Sequence, residues 1–272
     1  MKLSIVILNY RSAGLTRQCV RGIYNCQPQL EFEVIAVDNN SHDGCCQWLG
    51  TTYPKVRCIA LQQNRGFAAG NNAGMREAGG EYVLILNPDI TILPGQLEAL
   101  VAFMDEHPKV GLAGPRLVNP DGSLQYSTYK FPSLWLPIFR RTILGGLPGV
   151  KSRLRQYQMM DWDHLVSRPV DWMLGACLIA RRAAVNEVGL MDERYFLYVE
   201  DTDWCRRFWD KGWQVWYVAG VELVHFHERL SAQRPLLTAI FNKITWVHIA
   251  SWLKYFRKWG IMKVTISHHQ AI

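Results

Sequence analysis

The sequence predicts an α/β protein with a mostly parallel sheet flanked by helices and an amphipathic helical appendage at the C-terminus. Short apolar runs alternate with helical segments through residues 1–115, the order expected of a doubly wound sheet. Several of these runs show no polar alternation, which is typical of strands covered on both faces. The chain has 272 residues, 49% of them apolar and 19% charged, which favours a buried core over disorder.

The first half of the chain supplies the parallel strands. Apolar runs predict strands at 4–9, 33–38, 56–61, 82–87 and 110–115, and the segments between them predict helices at 15–25, 67–78 and 94–106. The N-terminal run continues into the domain without a small-residue cleavage site, so we expect a first strand rather than a cleaved leader.

The pattern changes after residue 115. A turn signal at 119–123 predicts a hairpin tip, and the proline- and glycine-rich stretch 131–157 predicts a long irregular insertion. Regular structure is expected at 171–181, followed by a helix at 201–211, strands at 213–218 and 222–227, and an amphipathic helix at 235–259. We expect one domain over 1–230, with halves 1–115 and 116–230, and a C-terminal helical region over 231–272.

Charge and cysteine content narrow the class of protein. The net charge of +7 and pI near 9.1 indicate an anionic partner, which leaves nucleotide phosphate, nucleic acid and an acidic membrane surface open. Seven cysteines without a C-x-x-C pair argue against a disulfide framework or a cysteine zinc site, and for a reducing compartment. The sequence contains no run of 18 apolar residues, which a membrane-spanning helix would need, so we expect a cytoplasmic protein.

Polar clusters follow four predicted strands at the point where each strand ends. They are Asn9-Tyr10, then 38–41, then 64–66, and then 87–89. The carboxyl ends of parallel strands meet at one edge of a sheet, where ligands bind, so the clusters are expected to converge. Any single cluster would fit an ordinary turn, but four in register indicate a binding site.

The common glycine-rich phosphate loops are missing from this edge. Neither G-x-G-x-x-G after the first strand nor G-x-x-x-x-G-K-[ST] occurs, which disfavours dinucleotide oxidoreductases and P-loop ATPases. Side chains or a metal must then neutralise nucleotide phosphates. Asp89, a carboxylate at a strand end, is a suitable anchor for Mg²⁺ or Mn²⁺.

A second acidic group opens the predicted helix at 201–211. Glu200, Asp201 and Asp203 fit simple complementation of the helix dipole, but three acids in four residues exceed what a cap requires. A water-restricted carboxylate of this kind suits a general base. Downstream, His225 and His227 lie on one face of a predicted strand; a lone strand histidine is usually structural, but this pair is a candidate for metal ligation.

These residues lie in stretches that resemble glycosyltransferase family 2, of the GT-A fold group, and in particular its bacterial rhamnosyltransferase-like branch. The stretches follow the family's order over about residues 3–227. They are V-D-N-N-S (37–41), N-R-G-F-A-A-G-N-N (64–72), L-N-P-D (86–89), G-A-C-L-I-A-R-R (175–182), G-L-M-D-E (189–193), F-L-Y-V-E-D (196–201) and V-H (224–225). The resemblance implies a GT-A-type, Rossmann-like sheet, with a nucleotide-binding half at 1–115 and an acceptor-binding half at 116–230.

The resemblance also implies roles for individual residues. Asp201 would be the catalytic base of an inverting transfer, while Asp89 and His225 would hold the metal. Asn87 stands where relatives have the first aspartate of a metal-binding D-x-D, which leaves the ligation to Asp89. The implied nucleotide and donor residues are Asn9, Tyr10, Asp38 (toward a pyrimidine base), Asn40, Arg65, Asn71, Asn87 and Asp89. The implied acceptor-side residues are Trp172, Gly175, Ala176 and Glu200.

The resulting hypothesis is an inverting, metal-dependent glycosyltransferase using Mg²⁺ or Mn²⁺. Its donor would be dTDP-L-rhamnose, with UDP-sugars as runners-up, and its acceptor a hydroxyl of a cell-surface glycan or lipid-linked sugar; nucleic acid is not an expected partner. One rival is a nucleotidyltransferase that makes the sugar nucleotide, although 9–14 is a poor activation loop. The other is a non-enzymatic membrane- or nucleic-acid-binding module, which leaves Asp89, Asp201 and His225 without a task.

Two stretches mix aromatic, aliphatic and basic residues, namely 131–157 and 235–263. Such mixtures suit the interface of an anionic membrane and predict peripheral attachment at the inner face of the cell membrane. The alternative is a C-terminal helix packed on its own domain or in a homodimer.

Overall fold

The structure is a computed structural model that describes residues 1–136, 139, 146–226 and 243–260. These contain twelve strands and eight helices. The strands are β1 Leu3–Asn9, β2 Phe32–Asp38, β3 Arg57–Ala60, β4 Tyr82–Leu86, β5 Ile90–Thr91, β6 Val110–Val118, β7 Leu124–Gln125, β8 Thr128–Tyr129, β9 Arg168–Pro169, β10 Trp172–Met173, β11 Cys177–Arg181 and β12 Gln214–His225. The helices are α1 Ala13–Asn25, α2 Cys45–Thr52, α3 Gly66–Glu77, α4 Gln96–Glu106, α5 Pro148–Tyr157, α6 Arg182–Val188, α7 Glu200–Asp210 and α8 Lys243–Trp259.

One large sheet runs through the described chain, in the order β3-β2-β1-β4-β11-β6-β12-β5. The pairs β3/β2, β2/β1, β1/β4 and β6/β12 are parallel, whereas β11 is antiparallel to both of its neighbours. The chain moves outward from β1 to β3 and then returns to the other side of β1 as β4. The order therefore reverses between β1 and β4, which is where a parallel sheet of this kind binds ligands.

Both faces of the sheet are covered, as the unbroken apolar strands predict. In β1, Leu3, Ile5 and Ile7 contribute to the core layer beneath α1, α2 and α4. Val6 and Leu8 point to the opposite layer, which is formed with α3, α6 and α7. Alternate side chains of a strand point to opposite faces, so a strand covered on both faces is apolar at most positions. The exceptions in β1 are Ser4, which donates to Glu33, and Asn9 at the strand end.

The second half of the sheet differs from the prediction in one strand. The expected hairpin at 119–123 is confirmed, since β6 and β7 pair in an antiparallel manner across it. The two strands predicted at 213–218 and 222–227 are instead one strand, β12. Its pairing with β6 passes from Val218↔Pro115 to Glu222↔Arg116, so three residues bulge out without ending the strand.

Three other expectations need correction. Helix α2 was not predicted, because its eight residues, C-C-Q-W-L-G-T-T, have little helical preference of their own. The stretch predicted as irregular insertion contains α5, which begins at Pro148, a favourable first helical position. The cysteine pattern argued against a disulfide framework and for a reducing compartment, yet one pair, Cys46 in α2 and Cys58 in β3, is bonded, while the other five cysteines are free thiols.

Helix α8 packs on the domain through one face. Tyr255 is fully buried against Tyr195 and Val199, and Ser251 Oγ donates to the backbone oxygen of Leu197 at 2.9 Å. The predicted helical stretch 235–242 and His227 lie outside the described residues. No helix within the described ranges is long and apolar enough to cross a membrane.

Candidate active site

Asn9, at the end of β1, organises the first two polar clusters. Its side chain is buried, and Nδ2 donates to Asp38 Oδ1 at 3.2 Å, to Ser41 Oγ at 3.2 Å and to both carboxylate oxygens of Asp43 at 3.1 Å. Its Oδ1 accepts hydrogen bonds from Ser12 and Thr16. Because these bonds use both ends of the amide, Asn9 orients Asp38 in this structure rather than facing a ligand itself.

A second asparagine joins the cluster after β2 to the cluster after β3. Asn39 is 2% exposed; its Nδ2 donates to Asn64 Oδ1 at 2.9 Å, and its Oδ1 accepts from the backbone N–H of Arg65 at 2.9 Å. The guanidinium of Arg65 bonds Glu193 at 2.7 Å, which draws the G-L-M-D-E stretch to the same rim. The clusters after β1, β2 and β3 thus converge, as the strand ends predict.

The two predicted asparagines of α3 behave differently. Asn72 is bonded to the backbone of Met191 on both sides of its amide, which makes it a structural clamp. Asn71 donates to the backbone oxygen of Phe67 at 3.0 Å, and its Oδ1 is buried without a hydrogen-bond donor among the described residues. A buried acceptor of this kind is costly unless a ligand or water completes it, so Asn71 is the better donor-site candidate.

Gly66, at the start of α3, lies directly against the segment that precedes α7. A Cβ built on Gly66 would lie 2.1 Å from the backbone oxygen of Phe196, and the N–H of Phe67 donates to that same oxygen at 2.7 Å. The backbone of Gly66 also has φ +81°, which favours glycine. This close approach ties the third polar cluster to the second acidic motif.

Asp89 and His225 meet across the sheet edge. The Nδ1 of His225 lies 2.5 Å from Gln125 Oε1, and because an amide oxygen only accepts, Nδ1 carries the proton. In its neutral form the ring then presents the Nε2 lone pair to Asp89 Oδ2, 3.4 Å away. Asp89 Oδ1 is buried and receives no hydrogen bond from the described residues.

This pair fits a divalent cation. A carboxylate and an imidazole lone pair that face each other, with an unsatisfied buried oxygen beside them, are the donor types that Mn²⁺ and Mg²⁺ sites use. No group of three or more His, Cys, Asp or Glu side chains suited to a metal occurs in the described part of the chain. Among the described residues, Asp89 and His225 are thus the two that could hold such an ion, and Gln125 fixes the ring.

A short segment between β10 and β11 connects this site to the second acidic motif. The backbone oxygen of Ala176 accepts from the N–H of Asn87 at 2.8 Å. The N–H of Gly175, the preceding residue, donates to Asp201 Oδ2 at 3.0 Å. A larger side chain at Gly175 would crowd Phe67 and Asp201, since its Cβ would already lie 3.3 and 3.4 Å from them. The two carboxylate motifs thus stand on either side of one backbone segment.

Asp201 and Glu200 are adjacent acids at the start of α7. Burial raises the pKa of Asp201, while hydrogen bonds from the N–H of Gly175 and from Thr202 oppose that rise. Burial, and then the charge of Asp201, raise the pKa of Glu200 well above its ordinary value. Glu200 Oε2 has no hydrogen-bond partner among the described residues, which fits a protonated, neutral Glu200 beside an ionised Asp201.

The backbone before this pair is strained. Tyr198 and Val199 have φ of 68° and 73°, in the left-handed region that a β-branched residue rarely enters. Such strain persists only where surrounding contacts hold it, and it is concentrated at functional sites. Here the contacts come from α8: His248 lies 4.4 Å from the Tyr198 ring, and Tyr255 packs against Val199.

Asp203, the third acid of the motif, belongs to a different environment. It is fully buried and bonds Arg207 Nε at 3.0 Å, Lys258 Nζ at 2.8 Å and Trp259 Nε1 at 2.7 Å. The last two residues lie in α8. The surplus of acids that suggested catalysis in the sequence is therefore explained in part by the docking of this helix.

The remaining predicted residues are not all at the rim. Tyr10 is 43% exposed beside Arg11, and Asn40 has a left-handed backbone with φ of 62°. Trp172 is buried: its ring stacks on Tyr129 at 4.5 Å, and its Nε1 donates to the backbone of Lys130. It therefore supports the segment that carries Gly175 instead of presenting a surface.

Sequence reasoning missed two residues of this site, Asp43 and Gln125, and gave Asn39 no role beyond membership of the polar cluster 38–41. Asp43 lies two residues after that cluster, and its only signal was the run of polar residues after a buried strand. Gln125 had no signal, because its role depends on the β6–β7 hairpin placing it next to His225, 100 residues away along the chain.

Comparison with known proteins gives matches over most of the chain. The family model for glycosyl transferase family 2 matches residues 4–161. An N-acetylglucosaminyl-diphospho-decaprenol L-rhamnosyltransferase of Mycobacterium tuberculosis is 31% identical over 239 residues, which is 80% of this chain and 74% of that protein. Rhamnosyltransferase WbbL of Escherichia coli is 24% identical over 208 residues, or 72% of each chain.

Solved structures share the fold at lower identity. GalNAc-T7 with UDP, GalNAc and Mn²⁺ superposes with a TM-score of 0.63 at 15% identity, over 84% of this chain and 44% of that one. The mannosyltransferase PcManGT of Pyrobaculum calidifontis, with GDP-Man and Mn²⁺, gives 0.58 at 15% identity, over 99% and 78%. The predicted GT-A-type α/β fold is confirmed by this likeness.

Proposed function

The chain belongs to glycosyl transferase family 2 and is a glycosyltransferase, and from that premise we propose that it is an inverting, metal-dependent hexosyltransferase. The observation that carries the proposal is the segment from Gly175 to Ala176, which contacts the metal-type motif at Asn87 on one side and Asp201 on the other. A donor bound at the first and an acceptor at the second would meet along this backbone, which is the positioning that transfer between two substrates needs.

Asp201 is the proposed general base. Its raised pKa brings the carboxylate closer to the range in which it accepts a proton from a hydroxyl, and the N–H groups of Gly175 and Thr202 hold it in one orientation. The acceptor oxygen, as it loses its proton to Asp201, attacks the anomeric carbon from the side opposite the departing nucleoside diphosphate. Neutral Glu200 avoids a second buried charge next to the base.

Asp89 and His225 are the proposed residues that hold Mg²⁺ or Mn²⁺. A bound cation would neutralise charge that develops on the diphosphate leaving group. Gln125 keeps Nδ1 of His225 protonated and thereby keeps Nε2 available toward Asp89. Asn87 cannot contribute a carboxylate, so the protein supplies fewer anionic ligands than a D-x-D motif would.

The donor side is proposed to run along the ends of β1, β2 and β4. Asp38, oriented by Asn9, is proposed to accept a hydrogen bond from a pyrimidine base, and Tyr10 and Asn40 are proposed to contribute to the same site. Asn71, with its buried unsatisfied oxygen, is proposed to face the diphosphate or sugar. Arg65 would have to leave Glu193 to reach a phosphate, so its role in binding requires exchange of an ion pair.

We propose dTDP-L-rhamnose as donor and a lipid-linked sugar or cell-surface glycan as acceptor. Two relatives bear rhamnosyltransferase names, and one of them names a lipid diphosphate as its acceptor. UDP-sugars are the second choice of donor. Peripheral attachment to an anionic membrane at the cytoplasmic face would bring the protein to such an acceptor. Pairing into a homodimer stays a prediction.

Calorimetry with dTDP and with UDP, each with and without Mn²⁺, tests the donor and metal assignments. We expect tight binding only with the metal, and Asp89→Ala should abolish the metal-dependent part. Asp43→Ala is the control for the metal effect alone: it removes a carboxylate from the same rim, and although its loss disturbs Asn9, the ratio of affinities with and without metal should stay that of wild type. Equal metal dependence in wild-type protein and Asp89→Ala would refute the metal site.

A screen of sugar nucleotides identifies the donor. Hydrolysis or transfer should be fastest with dTDP-L-rhamnose when the panel includes dTDP-, UDP- and GDP-sugars. Formation of a sugar nucleotide from a sugar phosphate and nucleoside triphosphate, without transfer, would instead assign the chain as a nucleotidyltransferase.

A further inference from the structure

Helix α8 carries two apolar faces, which is unusual for a surface helix. Its inner face contains Ser251 and Tyr255, which are buried against the domain. Its outer face contains Trp246, Ile249 and Leu253, with 57%, 38% and 65% of their surface exposed. These three outer residues recur at intervals of three and four positions, so they form one stripe along the helix. A surface helix ordinarily has one apolar face toward its domain and a polar face toward solvent, so a second apolar stripe indicates a second contact.

A basic hollow lies at the C-terminal end of this stripe, where Arg257 follows Leu253 by one helical turn. The hollow has a volume of about 530 Å³ and is lined by Arg194, Lys254, Arg257 and Lys258. Arg194 comes from the loop between α6 and α7, and the other three come from α8. Basic residues in the last turn of a helix complement its dipole, but that effect requires neither Arg194 nor the exposed leucine one turn earlier.

The charges of the hollow are only partly balanced. Asp192 bonds both Arg194 and Lys258, and Asp203 bonds Lys258. Within the described residues no carboxylate lies in ion-pair range of Arg257, while Lys254 Nζ donates to a backbone oxygen, that of Arg194. Four cations against two acids leave an excess of positive charge around a space that would accept a phosphate group.

We propose that the outer face of α8 is the surface by which this protein binds an anionic phospholipid bilayer. Leu253, Ile249 and Trp246 would enter the boundary between headgroups and acyl chains, while a lipid phosphate occupies the basic hollow. Apolar and basic residues side by side on one helix are the combination that binds such an interface. The inference deepens the lipid-linked acceptor of the proposed function by naming the surface and the headgroup chemistry.

Sedimentation with vesicles tests the surface without relying on transfer activity. The full chain should bind vesicles of phosphatidylcholine mixed with phosphatidylglycerol, bind phosphatidylcholine alone weakly, and be released by salt. The double variant Lys254→Ala/Arg257→Ala should lower partitioning by more than tenfold, because each basic residue near the surface contributes about fivefold. Leu253→Ser should lower it further in the same background.

The matched control is Lys109→Ala/Lys211→Ala. It removes the same charge at two exposed lysines that lie outside both stretches expected to suit a membrane, and should leave partitioning within about twofold. All variants replace exposed residues, and unchanged melting temperatures would verify that they fold. Equal losses in both double variants would overturn the proposal in favour of a general charge effect.

Two further outcomes would also overturn it. Inorganic phosphate that binds the hollow by calorimetry, with vesicle binding insensitive to Lys254→Ala/Arg257→Ala, would assign the site to a free anion. A dimer that Leu253→Ser converts to monomer, with vesicle binding unchanged, would assign the stripe to a second copy of the chain. Vesicle binding that persists in a preparation inactive in transfer would support this surface while refuting the proposed function, so the two failures are distinguishable.

Discussion

Asp201 and Asp203 stand two residues apart in the first turn of α7, and their surroundings differ. Asp201 accepts hydrogen bonds only from the backbone and from Thr202 among the described residues, and no cation lies within ion-pair range of it there. Asp203 is fully buried between Arg207 and the α8 residues Lys258 and Trp259. The Asp201 carboxylate is therefore able to take up a proton. The Asp203 carboxylate instead holds α7 and α8 together.

The difference shows that neighbouring acids of one motif can have different roles. A carboxylate bonded to neutral donors keeps an elevated pKa when it is buried, but one paired with two cations serves as a structural anchor. Since Lys258 and Trp259 hold α8 over the strained residues before Asp201, the anchor also supports the geometry of the proposed base. Three substitutions within the motif would break or sharpen this division.

The largest effect is expected for Asp201→Asn. The amide keeps the shape of the side chain but cannot accept the proton, so kcat should fall about a thousandfold. Binding of the nucleoside diphosphate, measured by calorimetry, should stay within about twofold of wild type. The melting temperature should be equal or higher, since the substitution removes a buried charge. Loss of donor binding in this variant would argue that Asp201 belongs to the donor site and not to the acceptor.

The matched change Asp203→Asn should affect stability more than chemistry. Among the described residues, removing the buried carboxylate leaves Arg207 bonded only to backbone oxygens and Lys258 bonded only to Asp192. This loss should cost about 3 kcal/mol of unfolding free energy. Urea unfolding measures that cost. The rate of transfer, measured well below the melting temperature, should stay within about tenfold of wild type. The loss that remains would come from weaker packing of α8 on Tyr198 and Val199. A thousandfold loss of kcat in a folded Asp203→Asn protein would erase the distinction between the two acids.

The smallest effect is expected for Glu200→Gln, and it should depend on pH. Because the folded-state pKa of Glu200 is raised, the folded chain binds a proton more tightly than the unfolded chain above the ordinary glutamate value of 4.5. Stability therefore falls as pH rises from that value through the raised pKa. The glutamine variant lacks this loss, so it should match wild type near pH 4.5 and exceed it increasingly at higher pH. A variant less stable than wild type by the same amount at every pH would contradict a neutral Glu200.

Much of the fold could be predicted from the sequence, because its central strands are clear apolar runs. The runs at β1, β2 and β4 are apolar on both faces, so their identity and parallel pairing could be predicted within a residue or two. The convergence of their polar ends also followed, since parallel strands end at one edge. Helix α2 and the continuity of β12 could not be predicted, because tertiary contacts, including pairing with β6, decide them against weak local preference.

The site was predictable in its residue types but not in its contacts. Motif order identified Asp89, Asp201 and His225. Nothing in the local sequence indicated that the side-chain amides of Asn9 and Asn72 would hydrogen-bond to other groups of the protein. The role of Asp203 depended on α8, about 50 residues later, whose docked face is set by the aromatic residues of that helix. Such long-range pairings are not encoded by spacing.

The contact between Gly66 and Phe196 has a consequence for how substrate preference can change. The polar cluster at 64–66 and the segment before α7 are joined there by backbone atoms alone, with no room for even a methyl group. Under the proposed function, side chains on either side could be exchanged without altering the distance between the donor sugar and the general base. Such a contact would let donor and acceptor specificity evolve separately, provided that Gly66 stays a glycine.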